Sequence, residues 1–274
     1  LKQKINKNTI LVVTSAPEYT HGMVDNIEEI SNIALKNNIG CHVDCCLGGF
    51  ILPFIKTDFK YNFTLPGVTS ISSDFHKYGL SPKGISIIMY NSKNLMRNQY
   101  YINPDWTGGI YATSTMTGSR PGNIIALTWA TLLYIGQDGY KKYAQNIIDT
   151  KNYFIDEFKN IKEIFVYGNP KVCVIGIGSK LFDICLLNDL MSKKGWYLNV
   201  MQFPTSIHLC ITHYHTNLEI KKQFIKDIKL CIKDIISSDK KYESSSSIYG
   251  TSQKIKNRDL VYQVSERYLD CIYK

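Results

Sequence analysis

Two apolar runs separated by a single amphipathic segment set the fold class of this chain. Residues 9–14 (TILVVT) form a run of the kind that fills strands buried in parallel sheets. Ser15-Ala16-Pro17 ends it, and residues 25–30 (DNIEEI) open a helix with acidic residues at its positive end and Ile27, Ile30, Ile33 and Ala34 as its apolar positions. A second buried strand follows at residues 40–46. Strand, helix and strand with a crossover of this length make a right-handed parallel unit, which places the chain in the α/β class. Function in such sheets gathers where the strands end. A domain rarely opens on its central strand, so we expect this chain to be the later portion of a longer fold.

The remaining pattern fills in the organisation. Residues 47–66 read as an apolar and aromatic loop, residues 67–72 as a strand leading into SDFHKYG (73–79), and residues 84–90 (GISIIMY) as a fourth strand. A polar and aromatic connection over 91–120 ends in GSRPG (118–122), where Pro121 stands at a position that a helix start tolerates. Helical pattern continues to about residue 160 with a break at 136–139. Strands near 164–167, 172–177 and 207–212 and helices near 183–194 and 217–236 then predict a smaller α/β domain. Ser244 to Ser247, flanked by Lys240 and Lys241, read as a flexible link before a last amphipathic helix at 258–273. The expected divisions are therefore 1–122, 123–160, 161–236 and 237–274.

Charge narrows the function. The net charge is +9, but only four of the 32 basic residues are Arg (Arg97, Arg120, Arg258, Arg267), and the Lys are spread over the chain. Nucleic-acid readout leans on bidentate Arg forks, so no nucleic-acid partner is expected, and most of the charge reads as solvated surface. The longest stretch free of Asp, Glu, Lys, Arg and His, 121–137, falls short of the roughly 20 apolar residues that cross a membrane as a helix. Eight Cys without framework spacing fit reduced thiols. Cys41 and Cys45 point to one strand face while His42, Asp44 and Cys46 point to the other, so the five cannot converge on one tetrahedral ion. His213 and His215 share a strand face with no third ligand, and no metal site is expected.

Three segments each put a chemically specific residue just after a buried strand: HVDCCLGG (42–49), SDFHKYG (73–79) and GSRPG (118–122). A carboxylate at one strand end, a lysine about thirty residues later and a Gly-Ser turn at a helix start are the parts needed to hold pyridoxal phosphate. The lysine forms the Schiff base, the carboxylate keeps the pyridine nitrogen protonated, and the turn N–H groups bind the phosphate. Taken one at a time the parts are open to other readings: Asp44 as a helix cap or a paired structural carboxylate, Lys77 as simply one of 28 lysines, residues 118–122 as any tight turn.

The segments VDCCLGGFILPF (43–54), VTSISSDFHKYGLSPKG (68–84), DWTGGIYATSTMTGSRPG (105–122), LMSKKGWYLN (190–199), QFPTSIHLCIT (202–212) and IYGTSQKIKNRDL (248–260) resemble the sphingosine-1-phosphate lyase family collinearly over nearly the whole chain. The resemblance implies a fold type I pyridoxal-phosphate enzyme, aspartate aminotransferase-like, with part of the large cofactor-binding domain and the small C-terminal α/β domain present. It implies a carbon–carbon lyase that cleaves sphingoid base phosphates into a long-chain aldehyde and phosphoethanolamine. Lys77 matches the Schiff-base lysine, Asp44 the pyridinium partner, and His76 a residue close to the cofactor. Lys83 matches the lysine that binds the substrate phosphate, a task suited to a compact ammonium. Gly118 and Ser119 match the turn that reaches the cofactor phosphate of the neighbouring subunit, which implies a homodimer with a shared active site. The family implies the cytosolic face of the endoplasmic reticulum membrane. His21 also occupies a matching position.

Cys45 stands where the family usually carries the small Ala that packs on the cofactor ring, and Leu80 where relatives often carry Tyr. The family's earlier half supplies a Gly-rich phosphate loop, a ring-stacking His, further substrate-phosphate contacts and the membrane anchor, none of which lies in these 274 residues. The isolated chain is therefore expected to be inactive, as a fragment or as a shortened, non-catalytic relative. A pyridoxal-dependent amino acid decarboxylase is the alternative chemistry, one that has no need of a phosphate-binding Lys83.

Overall fold

The two apolar runs lie side by side as parallel strands, β1 (Leu11–Ser15) and β2 (Gly40–Asp44), in register from Leu11 opposite Gly40 to Ser15 opposite Asp44. The computed structural model describes residues 1–237 and 255–272. Between the strands runs helix α1 (Ile27–Lys36), which begins where the Asn26 side chain accepts the Glu29 N–H at 3.3 Å. Glu28 and Glu29 sit at its positive end and Lys36 at its negative end. Ala34 packs against Val12 and Cys41, flanked by Ile30 and Ile39, and this apolar contact fixes which way β2 faces. Cys41 and Val43 are buried toward that side, and the two-residue alternation turns His42 and Asp44 to the other face.

Strand β3 (Ser70–Asp74) adds in parallel with His42 opposite Ser70 and Asp44 opposite Ser72. The apolar pattern places this strand at 67–72, but the ladder starts later. Residues 65–68 form a turn in which the Val68 N–H donates to the Leu65 carbonyl at 3.0 Å, and a Cβ on Gly67 would stand 2.0 Å from the Ser31 carbonyl oxygen. The shift matters for function, because it carries Asp74 onto the strand end. Strand β4 (Ser86–Tyr90) closes a four-stranded sheet of order β1-β2-β3-β4 and runs antiparallel to β3. Strand β1 is an edge of this sheet rather than its centre, with Leu11 46% and Val13 62% exposed.

The 91–120 connection contains a short helix, α2 (Lys93–Arg97), and a hairpin of β5 (Tyr101–Asn103) and β6 (Tyr111–Thr113). Its strands are three residues long, and Tyr111 meets Trp106 edge-on at 6.1 Å, so local ring contacts shape a segment too short for periodicity to reveal. Helix α3 (Gly122–Lys159) is interrupted at Gly136, whose φ of 63° is open to glycine and costly for other residues.

The chain divides into two compact units, residues 1–149 with 170–173 and residues 150–169 with 174–274. The second unit has its own antiparallel sheet of β7 (Phe165–Val166), β8 (Val174–Gly178), β9 (Asn199–Met201) and β10 (Ser206–Cys210), in the order β7-β8-β10-β9. Helices α4 (Ile184–Lys193) and α5 (Leu218–Ser237) match the pattern-based expectation to within a residue or two, and Phe154, Phe158 and Phe224 are its largest fully buried rings. His213 and His215 lie in a 3-10 turn (His213–Thr216), not on a strand, and the His215 ring caps that turn by accepting the Thr212 N–H at 3.1 Å. Helix α6 (Arg258–Ile272) has no buried residue. The Ser-rich link and Tyr273 lie outside the described residues. No described helix is long and apolar enough to cross a membrane.

Candidate active site

The C-terminal ends of β2 and β3 bring the chemistry together. Asp44 is the last residue of β2, and beyond it the chain turns so that the Cys46 N–H donates back to Asp44 Oδ1 at 2.9 Å. Ser72, opposite on β3, donates its hydroxyl to the same oxygen at 3.3 Å. The turn can be this tight because residues 48 and 49 are glycines. A Cβ on Gly48 would lie 2.0 Å from the Ala16 carbonyl oxygen, and one on Gly49 would lie 2.0 Å from Ser73 Oγ.

Lys77 sits in the turn that follows β3. Ser81 N–H donates to the Phe75 carbonyl at 3.0 Å and Leu80 N–H to the Lys77 carbonyl at 3.1 Å, which closes the loop. From outside, the Tyr140 hydroxyl donates to the Gly79 carbonyl at 2.6 Å, while Tyr140 stacks on Phe54 and Phe50 packs against Phe75. The Lys77 ammonium pairs with Asp74 Oδ2 at 2.9 Å and is near enough to Cys46 to interact with its thiol electrostatically. The Asp44 carboxylate acts electrostatically on the same thiol. Asp44 and Lys77, thirty-three positions apart in sequence, are thus brought to the ends of two adjacent parallel strands.

Electrostatics here are set by burial and by the Asp74 hub. Burial disfavours a charged Lys77, but its interactions with Asp74 and Cys46 outweigh that and hold its pKa above the ordinary lysine value. Burial likewise works against a charged Asp74, yet hydrogen bonds from Ser86 and Lys77 keep its pKa below the usual carboxylate value. Ser86 Oγ lies 2.5 Å from Asp74 Oδ1. Burial pushes the Cys46 thiol up, and Lys77 offsets only part of this. Cys45 is 1% exposed, and burial beside Asp44 and Cys46 pushes it up to about 12, so it stays a protonated, unreactive thiol.

The other sequence-derived candidates are distributed around this centre. His76 gives its Nδ1 hydrogen bond to the Ile85 carbonyl at 2.7 Å and turns Nε2 toward Asp74, 3.7 Å away. Lys83 is exposed just beyond the closed loop, next to Gly84 with φ 116°. Leu80 is 45% exposed and takes φ 59°, a left-handed conformation costly for a residue with a Cβ. Gly118 adopts φ 63° in a turn whose N–H donates to the Thr115 carbonyl at 3.3 Å, and Ser119 is exposed. Among the described residues, no hydrogen bond or ion pair joins Gly118 or Ser119 to Asp44 or Lys77. His21 sits in a loop, its N–H donating to Glu18 Oε1 at 2.7 Å. No group of three or more His, Cys, Asp or Glu among the described residues is placed to hold a metal ion.

Sequence reasoning gave no role to Asp74, Cys46, Ser72 or His42. The signal for Ser72 and His42 is the two-residue alternation of two parallel strands in register, which puts His42, Asp44, Ser70, Ser72 and Asp74 on one face.

Comparison with known proteins gives the family. The pyridoxal-dependent decarboxylase conserved domain matches residues 1–177. Sphingosine-1-phosphate lyase 1 of Mus musculus is 42% identical over 279 residues, covering 100% of this chain and 49% of the relative. The sphingosine-1-phosphate lyase of Saccharomyces cerevisiae is 39% identical over 285 residues, covering 100% of this chain and 48% of its own. The solved sphingosine-1-phosphate lyase of Burkholderia pseudomallei superposes with a TM-score of 0.81 at 37% identity, over 85% of this chain and 54% of that one. A glutamate decarboxylase of Lactobacillus brevis, at 19% identity and a TM-score of 0.75 over 87% of this chain and 58% of its own, shares the fold. The chain spans about half the length of the curated relatives it matches. It belongs to the pyridoxal-dependent decarboxylase family.

Proposed function

We propose that the native protein is a pyridoxal-phosphate-dependent carbon–carbon lyase that cleaves sphingoid base phosphates into a long-chain aldehyde and phosphoethanolamine. The observation that carries this reading is the placement of the Asp44 carboxylate at the end of β2 and of the Lys77 amine, through its pair with Asp74, at the end of the adjacent parallel strand β3. That donor set suits the cofactor: a primary amine for its aldehyde and a carboxylate for its ring nitrogen, on one side of a sheet. When bound, pyridoxal phosphate supplies an electron sink for the breaking carbon–carbon bond. Asp44 holds a proton at the ring nitrogen, and Lys77 anchors the cofactor and gives way to the substrate amine.

Lys83, exposed and flanked by Pro82 and Gly84, receives the substrate phosphate as a point charge. Here the lyase reading parts from an amino acid decarboxylase, which has no phosphate to bind. His76, oriented by the Ile85 carbonyl, borders the cofactor, and Cys45 takes the position that packs on the cofactor ring. Gly118 and Ser119 reach the cofactor phosphate of a second copy, which makes the site a property of a homodimer. Resemblance supports work at the cytosolic face of the endoplasmic reticulum membrane, with membrane contact made outside these residues. The domain reading at 122, 160 and 236 stands with the same proposal.

The test is borohydride reduction of the native protein followed by peptide mapping, together with a panel of sphingoid base phosphates and amino acids. A pyridoxyl group on Lys77 and aldehyde release from the phosphates are expected. An unmodified Lys77, or turnover confined to amino acids, would overturn the reading.

A further inference from the structure

The face that presents Asp44 also presents His42, two residues earlier on β2, and Ser70 and Ser72 on β3. The His42 ring bridges the two serines, with Nδ1 2.8 Å from Ser70 Oγ and Nε2 3.1 Å from Ser72 Oγ. Ser72 Oγ lies 3.3 Å from Asp44 Oδ1. An ionised carboxylate only accepts, so Ser72 gives its single hydroxyl proton to Asp44. Ser72 Oγ must then accept from His42, which places the ring proton on Nε2, and Nδ1 in turn accepts from the Ser70 hydroxyl. Every donor in the row Ser70, His42, Ser72 points toward Asp44.

We propose that this row makes His42 and Ser72 positioning residues for Asp44, fixing the carboxylate as an ionised acceptor turned toward the cofactor's ring nitrogen. The inference rests on the reading of Asp44 as the ring-nitrogen partner. Donors aligned in one direction polarise one another, so the last bond to the carboxylate is stronger than an isolated serine would give. The row works only with a neutral ring, since a doubly protonated imidazole could not accept from Ser70. Burial supports the neutral form by pushing the His42 pKa down, against the pull of Asp44. Both serines and the ring belong to adjacent strands in register, so the row is carried by the sheet itself rather than by a loop.

The experiment uses the native protein stripped of cofactor and titrated with pyridoxal phosphate, reading affinity and the visible absorption band of the bound cofactor. Ser72→Ala and His42→Leu are each expected to weaken cofactor affinity about tenfold, the scale of a hydrogen bond to a charged group, and to diminish the band. Because they interrupt one row, the double variant should be no worse than the worse single. His42→Gln, which keeps a donor near the Nε2 position, and Ser72→Thr should recover most of the affinity. In an Asp44→Asn background, His42→Leu and Ser72→Ala should cost nothing further. Costs that simply add, or that persist in that background, would reduce the residues to ordinary packing and overturn the inference. If Asp44→Asn itself leaves the band and the affinity unchanged, the assignment of Asp44 fails first. If Asp44→Asn is damaging while Ser72→Ala and His42→Leu are silent, only the positioning role fails.

Discussion

At the scale of single residues, the chemistry of Lys77 depends on a neighbour three positions away. A lysine condenses with an aldehyde only as the unprotonated amine. The Asp74 carboxylate at 2.9 Å and the Cys46 thiol hold the Lys77 pKa above the ordinary lysine value, so the uncharged fraction is small at neutral pH and grows about tenfold with each pH unit. In the native protein stripped of cofactor, the rate of recombination with pyridoxal phosphate should therefore climb with pH across the neutral range. Removing the carboxylate removes a contribution that raises the pKa, so Asp74→Asn should move the whole climb to lower pH. Growth of the visible absorption after mixing measures both, and an unmoved profile would show that Asp74 does not set the charge on Lys77. Lys77 and Asp44 are readable in the sequence because their types and their places after apolar runs already imply the chemistry. Asp74 and Cys46 are not, since their roles come from turns that fold back: Cys46 N–H onto Asp44 Oδ1, and the Lys77 side chain onto Asp74.

At the scale of elements, the loop that carries Lys77 is held by a helix residue distant in sequence. Tyr140 of α3 is 3% exposed and donates to the Gly79 carbonyl at 2.6 Å while stacking on Phe54. Tyr140→Phe keeps the ring and the stacking but leaves a buried carbonyl without its donor, a loss of about 1–3 kcal/mol. A lowered melting temperature is expected, with faster proteolysis at residues 75–81, and an unchanged melting temperature would count against the anchor. Elements with long periodic patterns, such as α1, α4 and α5, are legible because one apolar face repeats through several turns. The hairpin of β5 and β6 is not, because three-residue strands joined by ring contacts leave no period. Direction is also hidden: the β4 pattern is equally apolar in either orientation, and only its pairing of Asp74 with Ser86 shows that it runs antiparallel.

At the scale of the whole molecule, the face of the first sheet that bears His42, Asp44 and Ser72 also exposes Leu11 and Val13 on β1. Nothing in the pattern of β1 reveals this: an apolar run reads alike in a central strand and at a sheet edge. The resemblance assigns Gly118 and Ser119 to the site of a second copy, and among the described residues no hydrogen bond or ion pair joins them to Asp44 or Lys77 of their own chain. Subunit complementation turns that into a measurement. Lys77→Ala removes the anchoring amine, and Gly118→Trp places a bulky side chain in a turn that needs φ 63°; each variant alone should be inactive. If every site combines Lys77 of one subunit with Gly118 of the other, a mixed dimer holds one fully natural site and one doubly altered site. The purified mixed dimer then has about half the activity of the natural protein, as two-fold symmetry requires. If each site is built from a single chain, every site in the mixture carries one damaging change and no activity returns. Co-expression of the two variants with separate tags, purification of the mixed dimer and an aldehyde-release assay distinguish the outcomes, and silence from a verified mixed dimer would remove Gly118 and Ser119 from the site.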